Sequence, residues 1–291
     1  MKRKNWPWSR SKPINLKQIR ADIQTSLAEH HFETPGNISL LLLSHALGEP
    51  KTWVLTHPEI ELNSDETHAL QSALERLLQG VPLPQLLGEW DFYGRSFIVS
   101  PDVLIPRPET ELLVERALTL AARFDRPLIV DVGTGSGAIA VSLAAALPQA
   151  SVLATDISRP VLAIARRNAQ RHLAKELPFA QADLLQPFSS KFNLICANLP
   201  YIPTRTLAGL PVAQWEPSLA LDGGASGLNL IKRLLHQTVS RLAPAGIILL
   251  EIESSLGPAT LSLAETIFPT AEIHLHQDLA GKDRLVEIQI P

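Results

Sequence analysis

Leu128-Ile129-Val130-Asp131-Val132-Gly133-Thr134-Gly135-Ser136-Gly137 decides the fold. A short, mostly branched apolar run that passes straight into alternating glycines predicts a buried strand, a tight turn and a helix from Ser136 to Leu147. Open sheets take ligands at the carboxyl ends of their strands, and glycines there let the backbone approach closer than a residue with a Cβ could. The spacing is G-x-G-x-G. Ala138 stands where the dinucleotide fingerprint needs its last glycine, and no Gly-Lys-Ser/Thr follows, so neither that fingerprint nor a phosphate loop is present.

Three acidic residues refine the ligand. Asp131 closes the first strand, where a carboxylate would repel a pyrophosphate and attract an ammonium or sulfonium. Asp156 ends the next expected strand, Ser151 to Asp156, and offers two oxygens to the hydroxyls of a ribose. Asp183, beside Leu184, is placed to accept from the exocyclic amine of adenine. Together they describe S-adenosylmethionine better than NAD or ATP.

Outward from the glycine loop, helical and strand patterns alternate from Glu109 onward. Helices are expected at Glu111 to Arg123, Arg159 to Leu173, Leu228 to Leu242 and Pro258 to Ile267. Strands are expected at Phe192 to Ala197, Gly246 to Ile252, Ala271 to Leu275 and Arg284 to Ile290. Such alternation implies an α/β domain with a parallel sheet and helices on both faces. The strand Phe192 to Ala197 delivers Asn198-Leu199-Pro200-Tyr201 to the same sheet edge. A planar amide or aromatic amine has a delocalised lone pair, so as a methyl acceptor it must be held by its hydrogens and aimed. Asn198 supplies a side-chain carbonyl and Leu199 a backbone carbonyl, Pro200 fixes the turn, and Tyr201 can pack on the planar group.

The first part of the chain is different. Leu16, Ile19, Ile23 and Leu27, then Leu40 to Leu47, then Leu70, Leu74, Leu77 and Leu78 recur at helical spacing, with Pro35-Gly36 marking the turn before the second helix and Asn63 and Glu66 spaced as a capping box before the last. Gly80-Val81-Pro82-Leu83-Pro84 ends this pattern, because its prolines deny a helix its next turn. Leu86 to Trp90 and Phe92 to Val99 then look like strands around Tyr93-Gly94. Residues 1–84 are expected as a helical domain, 85–106 as a β-hairpin linker and 107–291 as the α/β domain.

The whole composition agrees. In 291 residues, 45% hydrophobic and 19% charged, a sizeable core can be buried, and the length suits a main domain with a smaller companion. The formal charge of −3 argues against a chain devoted to neutralising phosphates. The one cysteine, Cys196, lies in a core strand and reads as an apolar filler in a reducing, cytoplasmic compartment. The basic start, with Trp6 and Trp8, lacks the apolar run of a signal peptide, and no stretch approaches the roughly 18 apolar residues of a membrane span. The nine histidines show no ligand spacing, so no metal is expected; His274 and His276 share a strand face without a third partner. Arg107 is placed either to meet the donor's carboxylate or to brace the connector, and Glu216 either to fold over the site or to stay solvated.

With these residues in view, the chain resembles the PrmC/HemK family of protein-glutamine N5-methyltransferases, which methylate the glutamine of the Gly-Gly-Gln loop in peptide chain release factors. The resemblance covers nearly the whole chain: the helical domain, Phe92-Tyr93-Gly94, Leu104 to Glu111, Asp131 to Gly137, Asp156, Asn198 to Pro203, and Glu216-Pro217 followed by Ala220 to Gly224 and Gly227-Leu228. Ile105 to Glu111 is its most specific part. It implies a Rossmann-like methyltransferase domain behind a helical bundle that helps engage the release factor. Asp131, Val132, Gly133, Thr134, Gly135, Asp156, Asp183, Leu184 and Asn198 would then line the donor, and Asn198, Leu199, Pro200 and Tyr201 would hold the glutamine, with Asn198, Pro200 and Tyr201 catalytic. A monomer without direct nucleic-acid contact is expected. Two departures stand out: Leu199 replaces the first of two usual prolines, and Glu253 stands where the family often has glycine. Competing readings are a methyltransferase for an exocyclic amine of RNA, since N-L-P-Y also resembles the loop of ribosomal RNA adenine dimethyltransferases, and a noncatalytic S-adenosylmethionine-binding module.

Overall fold

The computed structural model describes residues 15–291. The basic, tryptophan-bearing start up to Lys12 lies outside them; Lys17 and Arg20 fall on the first helix. The chain divides after Gly88 into two compact units.

The first unit is helical: α1 (Leu16–Glu29), α2 (Pro35–Leu47), α3 (Lys51–Thr56), α4 (Ser64–Leu78) and α5 (Leu83–Leu87). The leucine and isoleucine stripes read from the sequence are its core, with Leu16, Ile19, Ile23, Leu27, Leu42, Leu43, Leu70, Leu74 and Leu77 all buried. The capping box before α4 forms: the Asn63 side chain accepts from the Asp65 and Glu66 amides at 2.9 Å, and Glu66 accepts from the Asn63 amide at 2.8 Å. Such a cap contributes about 1 kcal/mol. Two expectations need correction. Pro35 and Gly36 form the first turn of α2 instead of preceding it. Pro84 does not stop a helix, because it lies in the first turn of α5, where its missing N–H has no partner to lose.

The second unit opens with the hairpin β1 (Glu89–Phe92) and β2 (Arg95–Ile98), so the strand expected from Leu86 begins three residues later, after α5. Tyr93 and Gly94 both take positive φ, 48° and 70°, the backbone that a two-residue hairpin turn needs. There follow α6 (Glu111–Ala121), β3 (Leu128–Val132), α7 (Ala138–Ala146), β4 (Ser151–Asp156), α8 (Arg159–His172), β5 (Phe179–Gln181), β6 (Phe192–Ala197), α9 (Thr204–Leu207), α10 (Ser218–Leu221), α11 (Asn229–Thr238), β7 (Leu242–Glu251), α12 (Gly257–Ile267), β8 (Glu272–Gln277) and β9 (Asp283–Gln289). The large sheet runs β5-β4-β3-β6-β7-β9-β8. Its first five strands are parallel, whereas β9 inserts antiparallel between β7 and β8, since β8 and β9 form a hairpin.

Strand alternation sorts the core into two faces. Ile129, Leu194, Cys196, Ile247 and Leu249 pack with residues of α6 and α7, while Val130, Val132, Ile195, Ala197, Ile248 and Leu250 pack with residues of α11 and α12. Cys196 is the buried filler its strand position implies, and burial pushes its thiol well above the usual range. Glu253 caps the short turn 254–256 by accepting from the Ser255 amide at 2.9 Å. No helix among the described residues is long and apolar enough to cross a membrane.

One polar side chain ties three parts of this unit together. Asn168 of α8 is fully buried; its carbonyl accepts from the Ile98 amide at 2.7 Å, and its amide donates to the Ile98 carbonyl at 3.0 Å and the Ser136 carbonyl at 2.8 Å. It therefore stands in for a strand neighbour of β2 and holds the back of the glycine turn. Truncation leaves three backbone groups short of partners, so Asn168→Ala is expected to lower unfolding free energy by about 3 kcal/mol, read from urea denaturation. A loss under about 0.5 kcal/mol would contradict this.

Candidate active site

In an open α/β sheet the crevice lies where chain connections part in opposite directions. Here that point is between β3 and β6, whose next parallel strands, β4 and β7, lie on opposite sides. Val132 of β3 pairs with Ala197 of β6, so the glycine loop and Asn198-Leu199-Pro200 leave the sheet at one level. A cleft of about 780 Å³ opens over them. It is lined by Gly133, Thr134, Gly135, Asp156, Asp183, Leu184, Asn198, Leu199 and Pro200, nine of the residues singled out from the sequence.

The glycines are required where they stand. Gly133 has φ +74°, and a Cβ on it would lie 2.9 Å from Cδ2 of Leu199; Gly137 has φ +83°, with Ala165 Cβ 3.2 Å from the same point. The Gly133 and Thr134 amides both donate to the Thr155 carbonyl, at 2.9 and 2.8 Å, which folds the loop over the end of β4. Asp156 accepts from the Gly135 amide at 3.1 Å and the Ser158 amide at 2.9 Å. Burial raises its pKa and these amide bonds lower it, with the net shift upward.

Asp131, Val132 and Tyr201 do not line the cleft. Tyr201 is half-buried, and Gly223 passes so close to its backbone that a Cβ there would meet the Tyr201 Cα at 2.7 Å. Burial, reinforced by Glu251, pushes its phenol up to about 12, so it stays neutral. The next residue, Ile202, donates its amide to the Leu221 carbonyl at 3.0 Å and accepts from the Gly223 amide at 2.8 Å. These backbone bonds tie the chain just after Tyr201 to the 221–223 segment.

Arg107 and Glu216 resolve as a pair. Glu216 is only 5% exposed, forms an ion pair with Arg107 and accepts from the Ile105 amide at 3.2 Å, so it clamps the segment after the hairpin to the loop after β6. Sequence reasoning assigned no role to Arg233, Thr110 or Glu251. Arg233 of α11 meets Asp183 at 2.5 Å on the cleft wall. Thr110 accepts from the Asn198 amide at 3.1 Å. Glu251 ends β7 and is 4% exposed, and its pKa rises to about 7 through burial. An acidic residue at the end of a core strand was the signal available for Glu251, the same signal that marked Asp131 and Asp156.

The cleft suits a ligand that is not a polyphosphate: its cationic lining residues, Arg107 and Arg233, are each already paired with a carboxylate. Among the described residues no group of three or more His, Cys, Asp or Glu side chains is arranged for a metal ion.

Residues 108–208 match the model of the methyltransferase small domain, and residues 18–88 that of the PrmC N-terminal domain. In fold, the chain is similar to a T. thermophilus 16S rRNA methyltransferase solved with AdoMet and guanosine (16% identity, 70% of this chain and 50% of that one, TM-score 0.51). It is also similar to the hMettl16 catalytic domain (16% identity, 80% and 86%, TM-score 0.52). The fold and the domain match thus define an S-adenosylmethionine-dependent methyltransferase with a Rossmann-like domain. The release factor glutamine methyltransferase of Moorella thermoacetica is 39% identical over 93% of this chain and 97% of its own length, and that of Enterococcus faecalis 42% over 82% and 86%. The chain belongs to the release factor glutamine methyltransferase family.

Asp131 needs a separate account. Its carboxylate turns under the glycine loop and accepts from the Thr134 hydroxyl at 2.6 Å and the Ala140 amide at 3.2 Å, joining the loop to α7. Complete burial lifts its pKa from 3.8 to about 7, against those two bonds, and Asp156 adds to the rise. A raised carboxylate favours the folded state most when protonated. Its contribution is therefore full below the unfolded value and is lost as pH climbs through about 7. The side-chain carbonyl introduced by D131N would still accept both bonds. The stability of wild type relative to D131N should fall between about pH 4 and pH 8, by on the order of 2–4 kcal/mol, in paired urea titrations. A difference that does not change with pH would show that Asp131 is ionised throughout.

Proposed function

We propose that the protein transfers a methyl group from S-adenosylmethionine to the side-chain amide nitrogen, N5, of the glutamine in the Gly-Gly-Gln motif of peptide chain release factors. The observation that carries this reading is the juxtaposition of the glycine loop with Asn198 and Leu199 across one crevice. The family relationship supplies the acceptor class.

The donor brings an electrophilic methyl group on a cationic sulfur. Gly133 to Gly135 give it an approach to bare backbone. Each Asp156 oxygen accepts from a loop amide and has lone-pair capacity left for a ribose hydroxyl. Asp183 and Leu184 border the adenine end, and the Arg233 pair holds the Asp183 carboxylate in place. Asp131 shapes the loop from below through its bonds to Thr134 and Ala140. Asn198 Oδ1 and the Leu199 carbonyl receive the two hydrogens of the glutamine amide, which turns its nitrogen towards the methyl group; Pro200 limits the turn that aims them. Transfer then forms the N–C bond as the S–C bond breaks, and the nitrogen afterwards gives up a proton. This chemistry asks for alignment and a dry, apolar cleft more than for a strong base. The helical unit, residues 15–88, would engage the body of the release factor.

The test is mass spectrometry of a purified release factor after incubation with the protein and S-adenosylmethionine. A single added methyl on the glutamine of the Gly-Gly-Gln peptide is expected, with Asn198→Ala lowering the rate at least 100-fold, about 3 kcal/mol of transition-state alignment. An unmodified peptide, with donor bound, would sink the reading and make an exocyclic amine of RNA the next acceptor to try.

A further inference from the structure

Asn198 can orient a substrate amide only if its own amide is the right way round. With Oδ1 towards the cleft it accepts a hydrogen; with Nδ2 there it repels one. Something behind Asn198 must decide.

Two residues stand there. Leu250 of β7 pairs with Ala197 of β6, so Glu251 and Asn198 leave neighbouring strands at one level. Thr110, from the short turn Pro108–Thr110, lies between the cleft and this strand end: it lines the cleft, whereas Glu251 does not. Asn198 Nδ2 donates to Thr110 Oγ1 at 3.1 Å. Thr110 and Asn198 are the polar side chains that face the Glu251 carboxylate, and its Oε2 is buried without a hydrogen-bond partner. The other charged or titratable groups that act on Glu251 or feel its charge are Arg284, Glu109 and Tyr201, and Arg284 is already committed to Asp278 at 2.9 Å.

We propose that Glu251 is a positioning residue that acts through Thr110 to set which end of the Asn198 amide faces the cleft. The inference rests on the glutamine-methyltransferase reading above. An ionised carboxylate only accepts, so the Thr110 hydroxyl must donate to it; the free lone pairs of that hydroxyl then receive Asn198 Nδ2–H, and Oδ1 is left pointing at the substrate. A protonated Glu251 can donate to Thr110 instead. The Thr110 hydrogen is then released towards Asn198, which favours the flipped amide. Since burial holds Glu251 near 7, this switch falls inside the working range, and activity should fall as pH drops through that value.

The experiment uses the full chain with a release factor and compares wild type, E251Q, T110V and T110S from pH 6 to 9. Donor affinity and thermal unfolding are followed in parallel. A glutamine can donate or accept, so E251Q should lower kcat about tenfold at pH 8, leave KM for the donor within twofold, and flatten the acid limb of the wild-type profile near pH 7. T110V, which cuts the link, should lose at least tenfold in kcat, and T110S should restore most of it. A merely structural role would not move the acid limb or be rescued by serine. If wild type methylates the release factor and E251Q keeps its kcat and its acid limb, the positioning role is wrong while the function stands. T110V at the wild-type rate would do the same. If wild type binds the donor and leaves the release factor unmodified, the functional reading fails and this inference fails with it.

Discussion

The site depends on one register. Because Val132 lies beside Ala197 in adjacent parallel strands, the chain leaves β3 and β6 at the same height, and two loops distant in sequence face each other across the crevice. A slip of one residue would turn every side chain of a strand to the opposite face. Neither strand can slip, because each is buried on both faces: Ile129, Leu194 and Cys196 commit to one layer of helices, and Val130, Ile195 and Ala197 to the other. The hydrophobic core on both sides of the sheet is therefore what aligns the chemistry at its end.

That alignment gathers carboxylates where the sheet ends. Asp156 and Glu251 close β4 and β7, and Asp131 stands one residue before the end of β3, strands that flank or form the crevice. Burial raises the pKa of all three, yet they act differently because their neighbours differ. Asp156 is tied by two loop amides and still lines the cleft, which suits a ligand contact. Asp131 is covered, and its bonds to Thr134 and Ala140 join the loop to the helix that follows it. Glu251 faces Thr110 and Asn198, a hydroxyl and an amide whose orientations are free to be set. Similar strand ends thus meet different surroundings: an open cleft, the start of a helix, and a hydroxyl beside an amide.

The sequence disclosed what local patterns encode. Strand β4 begins and ends at the residues the pattern indicated, and the Asn63 and Glu66 spacing became a true capping box, because a buried alternation or a cap is written within a few neighbouring residues. The three residues of β5 were missed, since so short an edge strand carries no period. Helix α5 escapes a pattern that counts prolines as breakers, because Pro84 lies in its first turn. In the site, the glycines and Asp156 were legible from their position after strands. The inward turn of Asp131 was not, because the sequence shows that a carboxylate ends a strand without showing whether it faces the ligand or the helix behind. Partnerships such as Arg107 with Glu216 or Asn168 with Ile98 join residues far apart in the chain, and no local pattern announces them.

Leu199 shows how a departure in one loop is absorbed by the other. A proline at this place would restrict the backbone and so restrict the unfolded chain, an effect of about 0.4–1 kcal/mol. The leucine gives that up. Its side chain is 4% exposed, and its Cδ2 occupies the space beside Gly133 that a Cβ on that glycine would need. Leucine buries about one carbon more than proline would, worth about 0.8 kcal/mol, which is the size of the lost restraint. The contact also joins the glycine loop to the Asn198 turn directly, so the backbone carbonyl of Leu199 is positioned by packing across the crevice instead of by a fixed φ. The glycine at 133 and the leucine at 199 are consequently one feature: the first leaves room that the second fills, and the distance between the two loops is set by that fit.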